Sequence, residues 1–232
     1  MNRLAIDTSN EILAVALEKE GEVVVEKMTR VKQGQTARLM PAIVDAMTLV
    51  GMEPDDLEEI IVGRGPGSYT GIRVGVTTAK TMAWGLDIPI IPVSSLGALA
   101  YNARFFDGYV MPFYNARRGA MFTGLYKFTD GKLIEVLEER YTPFQDWVKE
   151  VEPYRKEGLI CLSPHLDVFQ EALEEEFGES VLLPTKEAHN LRPSNLLAYR
   201  SEVEAEDVHL VKPHYLRITE AEAKVQKRQK GE

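Results

Sequence analysis

Arg3-Leu4-Ala5-Ile6-Asp7-Thr8-Ser9 decides the reading of the fold, because its pattern returns once further along the chain. Residues 3–6 read as a buried strand that ends in the polar turn Asp7-Thr8-Ser9. Residues 12–18 alternate and read as a second strand, Lys19-Glu20-Gly21 as a hairpin turn, and residues 22–28 as a third strand. The same series starts again at Tyr109. Residues 109–114 read as a strand ending in Asn115-Ala116-Arg117-Arg118-Gly119, followed by a strand over 120–128, the hairpin turn Thr129-Asp130-Gly131 and a strand over 132–138. The polar turns (Asp7, Asn115) lie 108 residues apart and the hairpin glycines (Gly21, Gly131) 110 apart. One spacing shared by a whole series of features predicts an internal duplication; the alternative is two β-meanders that arose separately.

Each meander is followed by alternating helices and strands. In the first half, helices are predicted over 36–52, 70–85 and 94–104, with strands over 57–62 and 88–92. In the second half, helices are predicted over 144–151, 165–177 and 193–204, with strands over 159–162 and 181–183. A mixed sheet carrying helices, made twice, is the architecture of the actin, hexokinase and Hsp70 group. The expected fold is therefore α/β, actin-like (ASKHA, ribonuclease-H-like), with two abutting lobes over 1–105 and 106–218 and a charged tail over 219–232.

Between the second predicted strand–helix pair lies Gly65-Pro66-Gly67-Ser68-Tyr69-Thr70-Gly71-Ile72-Arg73-Val74-Gly75. A strand, a glycine loop and a helix N terminus together can hold an anion, because free backbone N–H groups point outward there. The spacing fits neither of the common phosphate motifs. It lacks the Gly-Lys-Ser/Thr of the P-loop, and Gly71 falls one position too late for a dinucleotide fingerprint.

The bulk properties exclude several classes. The chain has 232 residues, 44% of them apolar and 27% charged, and a net charge of −9. That charge argues against nucleic-acid binding by this chain alone, since the dense basic run is confined to residues 224–230. A single cysteine, Cys161, cannot make an internal disulfide and suits a reducing compartment. No leader pattern opens the sequence and no apolar run approaches the ~20 residues of a membrane span. A cytoplasmic location is expected, with no membrane association.

Ala5-Ile6-Asp7-Thr8-Ser9, Gln35-Thr36-Ala37-Arg38-Leu39-Met40-Pro41, the glycine stretch from Gly63 to Gly75, Ala116-Arg117-Arg118-Gly119 and Pro213-His214-Tyr215-Leu216-Arg217 follow one another in order. Over nearly its whole length the chain resembles the TsaB (YeaZ) family of bacteria. The resemblance implies a two-lobed, non-catalytic scaffold subunit required for N6-threonylcarbamoyladenosine at position 37 of tRNA. It implies pairing with the paralogue TsaD, which carries the metal and transfers the threonylcarbamoyl group, and assembly with the ATPase TsaE. TsaC supplies the adenylate, tRNA is met indirectly through the complex, and the subunit forms a homodimer in isolation. No cofactor is required by this chain alone, while ATP or ADP belongs to the complex. The contrasting expectation is a free-standing actin-fold enzyme, a kinase or ATPase or a peptidase acting on TsaD.

The residues speak against independent chemistry. A phosphotransferase of this architecture places an acid at the phosphate turn of each lobe, and here the first turn keeps Asp7 while the second has the neutral Asn115. Asp7 is expected as a local hydrogen-bond acceptor for Thr8, Ser9 or the Gly67 loop. Gln35 stands where many relatives carry His, and His165, His189, His209 and His214 show no paired helical spacing, so no metal ligands are expected. Cys161, inside an apolar run, is no nucleophile. Asp7, Thr8, Arg64, Gly65, Gly67, Ser68 and Arg73 remain as nucleotide or anion contacts, or as residues that position the loop. Arg64 and Arg73 have two open readings, local hydrogen bonding and anion contact.

Two helices suggest a partner surface. Gly71, Gly75, Ala79 and Ala83 form a small-residue stripe that lets another helix, or the chain's own sheet, approach closely. The first helix carries more apolar residues than one buried face needs: Leu39, Met40, Ile43, Val44, Met47, Leu49 and Val50. The expected contact surface, on helices 36–51 and 70–85, comprises Leu39, Met40, Ile43, Val44, Met47, Gly71, Gly75, Thr78, Ala79 and Met82.

Overall fold

A computed structural model describes residues 1–31 and 34–217. The tail over 219–232 lies outside the described residues. The first half opens with β1 (Arg3–Asp7), β2 (Ile12–Lys19) and β3 (Glu22–Arg30), then α1 (Gln35–Leu49), β4 (Glu59–Gly63), α2 (Tyr69–Leu86), β5 (Ile90–Val93) and α3 (Ser95–Ala100). The second follows with β6 (Tyr109–Arg117), β7 (Ala120–Thr129), β8 (Lys132–Pro143), α4 (Phe144–Val151), β9 (Leu159–Leu162), α5 (Leu166–Phe177), β10 (Val181–Leu182) and α6 (Pro193–Tyr199). One sheet has the order β3-β2-β1-β4-β5 and the other β8-β7-β6-β9-β10. The two orders are the same, which makes the internal duplication explicit. In both, the first three strands are antiparallel and the rest pair in parallel, as Arg3 with Glu59 and Tyr109 with Leu159. This is the actin-like, ribonuclease-H-like α/β fold.

The hairpins form where the sequence marks them. Glu20 and Gly21 have φ of 56° and 88°, and Asp130 and Gly131 have 52° and 77°, the paired left-handed residues of a tight hairpin turn. At the end of β6 the structure corrects the expectation. The strand runs on to Arg117, so Asn115 lies within it and not in a turn after it. The reversal falls to Arg117, Arg118 and Gly119, all with positive φ.

Alternation on β1 and β2 sorts side chains between two cores. Leu4, Ile6, Leu13, Val15 and Leu17 face α1 and α2. Ala5, Ala14 and Ala16 face the opposite way, into a core shared with the second sheet. Their small size lets helices pack close to that inner face. The helices there change sides: α3 packs on β6 and β7, and α6 packs on β1 and β2. The outer face of the second sheet is covered by α4 and α5 around Trp147, Phe113 and Leu173. After α6 the chain returns to the first sheet. Glu206 bridges to Ile90 on the edge strand β5, and Val211 is buried in the α1–α2 core.

Candidate functional site

Asp7 ends β1 and is fully buried. Its Oδ1 accepts from Ser9 N at 2.8 Å and Ser9 Oγ at 2.7 Å, and its Oδ2 accepts from Ser95 Oγ at 2.5 Å. Gly63 leaves the room for it, since a Cβ there would fall 1.8 Å from Oδ2. The carboxylate thus ties β1 to the end of β4 and the start of α3. It does not line the cavity between the sheets. A buried acid with every oxygen engaged by the chain's own donors is in no position to deprotonate a ligand there.

Burial raises the pKa of Asp7 above the ordinary carboxylate range. The folded state then holds the proton more tightly than the unfolded one, so this group's contribution to stability falls as pH rises from that range. Asp7→Ala is expected to lower stability by about 2–3 kcal/mol, because buried donors lose their acceptor. Asp7→Asn, which keeps Oδ1, is expected to cost about 1 kcal/mol and to lack the pH slope. Urea unfolding across pH checks both, and equal losses would place the effect outside the acceptor role.

The glycine loop closes over the same turn. Ser68 N donates to Ser9 O at 2.6 Å, and Ser68 Oγ caps α2 by accepting from Gly71 N at 3.3 Å. Gly67 has φ 151°, and a Cβ there would sit 2.1 Å from Ser9 O. Thr8 Oγ1 donates to Gly71 O at 2.7 Å, which seats the first turn of α2 on the end of β1. Gly65 packs against Ile72 and the His214 carbonyl. Arg64 pairs with Glu206 at 2.9 Å, and Arg73 donates from Nε to Tyr215 OH at 2.8 Å while lying over the Tyr69 ring. Of the seven residues expected as anion or loop-positioning contacts, Gly67 and Ser68 line the cavity; Asp7, Thr8, Arg64, Gly65 and Arg73 do not.

The cavity itself measures about 800 Å³ and lies between the two halves. The first half supplies Ser9, Asn10, Gln35 and the N-terminal ends of α1 and α2. The second supplies Tyr114, Asn115, Arg117 and His165, with Arg217 closing it from the chain's last described stretch. Burial lowers the His165 pKa, so that imidazole is neutral at pH 7. The cavity is lined by the charged side chains Arg117, Arg217 and Glu11 and by neutral polar ones, among them Ser9, Asn10, Gln35 and Asn115. Among the described residues no three His, Cys, Asp or Glu side chains converge as a metal site would require.

The α1–α2 surface divides the expected contact residues. Leu39, Ile43, Met47, Gly71, Gly75 and Ala79 are buried against the chain's own sheet. The expectation that the small-residue stripe receives a partner helix is therefore corrected: a Cβ at Gly71 would meet Thr8 O at 2.1 Å, and one at Gly75 would meet Thr8 Oγ1 at 2.5 Å. The first two positions of the stripe are small because Thr8, just after β1, lies directly beneath them. What remains outward is Met40, 43% exposed, and Val44, 54% exposed, with Leu49 and Trp84 exposed at the far ends of the helices. Thr78 and Met82 are half-buried.

Sequence reasoning missed Ser95 as the partner of Asp7, although the Ser94-Ser95 pair marked a helix start there. It also missed the cavity residues Asn10, Tyr114, His165 and Arg217, which no short motif connects.

The family model described as TsaD, tRNA N6-adenosine threonylcarbamoyltransferase, matches residues 29–225. The tRNA threonylcarbamoyladenosine biosynthesis protein TsaB of Bacillus subtilis (strain 168) is 43% identical over 97% of this chain and 97% of its own length. TsaB of Escherichia coli (strain K12) is 35% identical over 55% of each chain. The structure of YeaZ from Pseudomonas aeruginosa is similar in fold, with a TM-score of 0.73 at 23% identity over 93% of this chain and 99% of that one. The fold and these matches define an actin-like protein of the TsaD-related class. Within that class, the chain belongs to the TsaB family.

Proposed function

We propose that this chain is a non-catalytic scaffold subunit for N6-threonylcarbamoyladenosine formation in tRNA. The observation that carries the reading is the full-length relationship to a protein named for that biosynthesis. The sealed position of Asp7 supports a supporting role over a chemical one. The exposed face of α1 and α2, centred on Met40 and Val44, docks the catalytic paralogue TsaD, and in its absence a second copy of this chain. A methionine beside a β-branched residue on a rigid two-helix platform suits exchange between two partners. TsaE and tRNA join through the complex, ATP or ADP is used there, and the assembly works in the cytoplasm. No described helix is long and apolar enough to cross a membrane.

The test is reconstitution with tRNA, ATP, threonine, bicarbonate, a TsaC-type enzyme, TsaD and TsaE, with the modified nucleoside read by mass spectrometry. Product is expected only when this chain is added. The double variant Met40→Arg, Val44→Arg is expected to keep its circular dichroism and melting temperature. It should lose both product and co-elution with TsaD, since two buried guanidinium groups would each lack a partner. Product from this chain with the TsaC-type enzyme alone, or full binding by the double variant, would overturn the proposal.

A further inference from the structure

The stretch over 206–217 is a strap laid across the first sheet and α2. It is held mainly by polar contacts. Glu206 N donates to Ile90 O at 3.1 Å, Lys80 Nζ donates to the carbonyls of His209 at 3.2 Å and Val211 at 2.9 Å, and His214 N donates to Arg64 O at 2.7 Å. Tyr215 stacks on Tyr69 with ring centres 4.8 Å apart. Val211 is buried and Val208 is half-buried, while Leu210 is 64% exposed. A segment with so little apolar burial opens at lower free energy than the core does.

Where the strap crosses the junction between the sheets it meets Glu139 of β8. That side chain is 6% exposed. Its Oε1 accepts hydrogen bonds from Ser94 Oγ and Tyr126 OH. Its Oε2 has no hydrogen-bond partner among the described residues, and His214 Nδ1 of the strap lies 3.7 Å from it. The charged and titratable groups facing it are Glu135 on β8, Tyr126 on β7, Tyr114 on β6, Tyr199 on α6, Arg64 after β4 and His214 on the strap. Arg64 is engaged by Glu206 at 2.9 Å, and the Glu139 backbone N–H donates to Glu135 Oε1 at 2.8 Å. One buried carboxyl oxygen therefore faces the strap with neither a donor nor a dedicated counter-charge.

We propose that Glu139 is a proton-operated seat for the strap: residues 206–217 stay closed over the protonated carboxyl, and ionisation favours their release, which lets water reach the carboxylate.

Burial is the main cause that raises Glu139 from 4.5 to about 7. Its Ser94 and Tyr126 hydrogen bonds act in the opposite direction. The seated state thus binds the proton more tightly than a state in which the carboxyl is hydrated. Its advantage declines as pH rises above the ordinary carboxylate value and levels off above about 7. Burial and the neighbouring Arg64 charge lower the pKa of His214, which weakens it as a compensating charge for the carboxylate.

Hydrogen exchange of the full chain, corrected for intrinsic rates, reads the opening of the strap directly. Between pH 6 and 8.5 the opening equilibrium of peptides covering 206–217 is expected to rise about tenfold, as follows from two proton affinities separated by the raised value. Amides of β1 should not follow. Glu139→Gln should flatten the profile to within about twofold. Tyr126→Phe, which removes a donor to the carboxylate, should move the midpoint to higher pH. A flat profile in the unmodified chain, an unchanged profile in Glu139→Gln, an unmoved midpoint in Tyr126→Phe, or β1 amides shifting in parallel would each overturn the proposal.

Discussion

Replacing Glu59 by alanine is expected to lower the unfolding free energy by about 3–5 kcal/mol, among the largest losses from any single side-chain deletion in this chain. Glu59 is the first residue of β4 and is 2% exposed. Arg200 grips it from two positions, Nε to Oε2 at 2.8 Å and Nη2 to Oε1 at 2.7 Å, and Arg3 Nε lies 3.0 Å from Oε2. The deletion strands two half-buried guanidinium groups unequally. Arg3 keeps Glu18 at 2.7 Å, whereas among the described residues Arg200 keeps the Val203 carbonyl at 3.0 Å and no acid. Arg200 follows α6, so the pair also clamps the far end of the chain onto the first sheet. By contrast, Arg192 pairs with Glu26 while 60% exposed, and Arg192→Ala is expected to cost under about 1 kcal/mol. Urea unfolding of the two variants decides the matter. A loss below 1 kcal/mol for Glu59→Ala would mean that water and Glu18 compensate both arginines.

That clamp marks the boundary of what the sequence made legible. Local signals carried far: the Glu20-Gly21 and Asp130-Gly131 turns, the period-two strands, and α4, whose bounds match the expectation residue for residue. These features depend on neighbours within a few positions, and hydrophobic alternation records them directly. The strap and α6 depend on surfaces more than a hundred residues away. Glu59 and Arg200 are separated by 141 positions, and neither residue type in its local setting names the other. Asn115 illustrates a subtler loss. Its polarity suggested a turn, but three consecutive left-handed residues from Arg117 make the turn themselves and let β6 continue past it.

The candidate site shows the same division. A small residue every fourth position states that something approaches one face of α2 closely. It does not state what approaches. The backbone of Thr8 supplies the answer, and it comes from the chain itself. The outward face needed the opposite inference: Met40 and Val44 could be marked as surplus because one sheet cannot cover every apolar position of α1. The stripe and the surplus are parts of one arrangement. Close seating of α2 on β1 fixes the height and angle at which the pair of helices presents its outer face.

Gly71→Ala tests that arrangement by setting two known effects against each other. In an exposed helix interior, alanine is favoured over glycine by about 1 kcal/mol. At Gly71 the added Cβ would lie 2.1 Å from the Thr8 carbonyl oxygen and 2.9 Å from Gln35 Oε1. The glutamine can rotate away. The carbonyl belongs to the backbone at the end of β1 and cannot, so either α2 or the strand must move. Overpacking of this kind costs typically 1–3 kcal/mol, and more where backbone is displaced. The clash outweighs propensity, and a net loss of about 2–3 kcal/mol is expected. Gly85, in the last turn of the same helix, has nothing within 4 Å of a built Cβ. Gly85→Ala is therefore expected to gain about 0.5–1 kcal/mol. Thermal unfolding of both variants should give shifts of opposite sign. If Gly71→Ala also stabilises, the first turn of α2 is not fixed by Thr8, and the platform presented by α1 and α2 takes its shape from another contact.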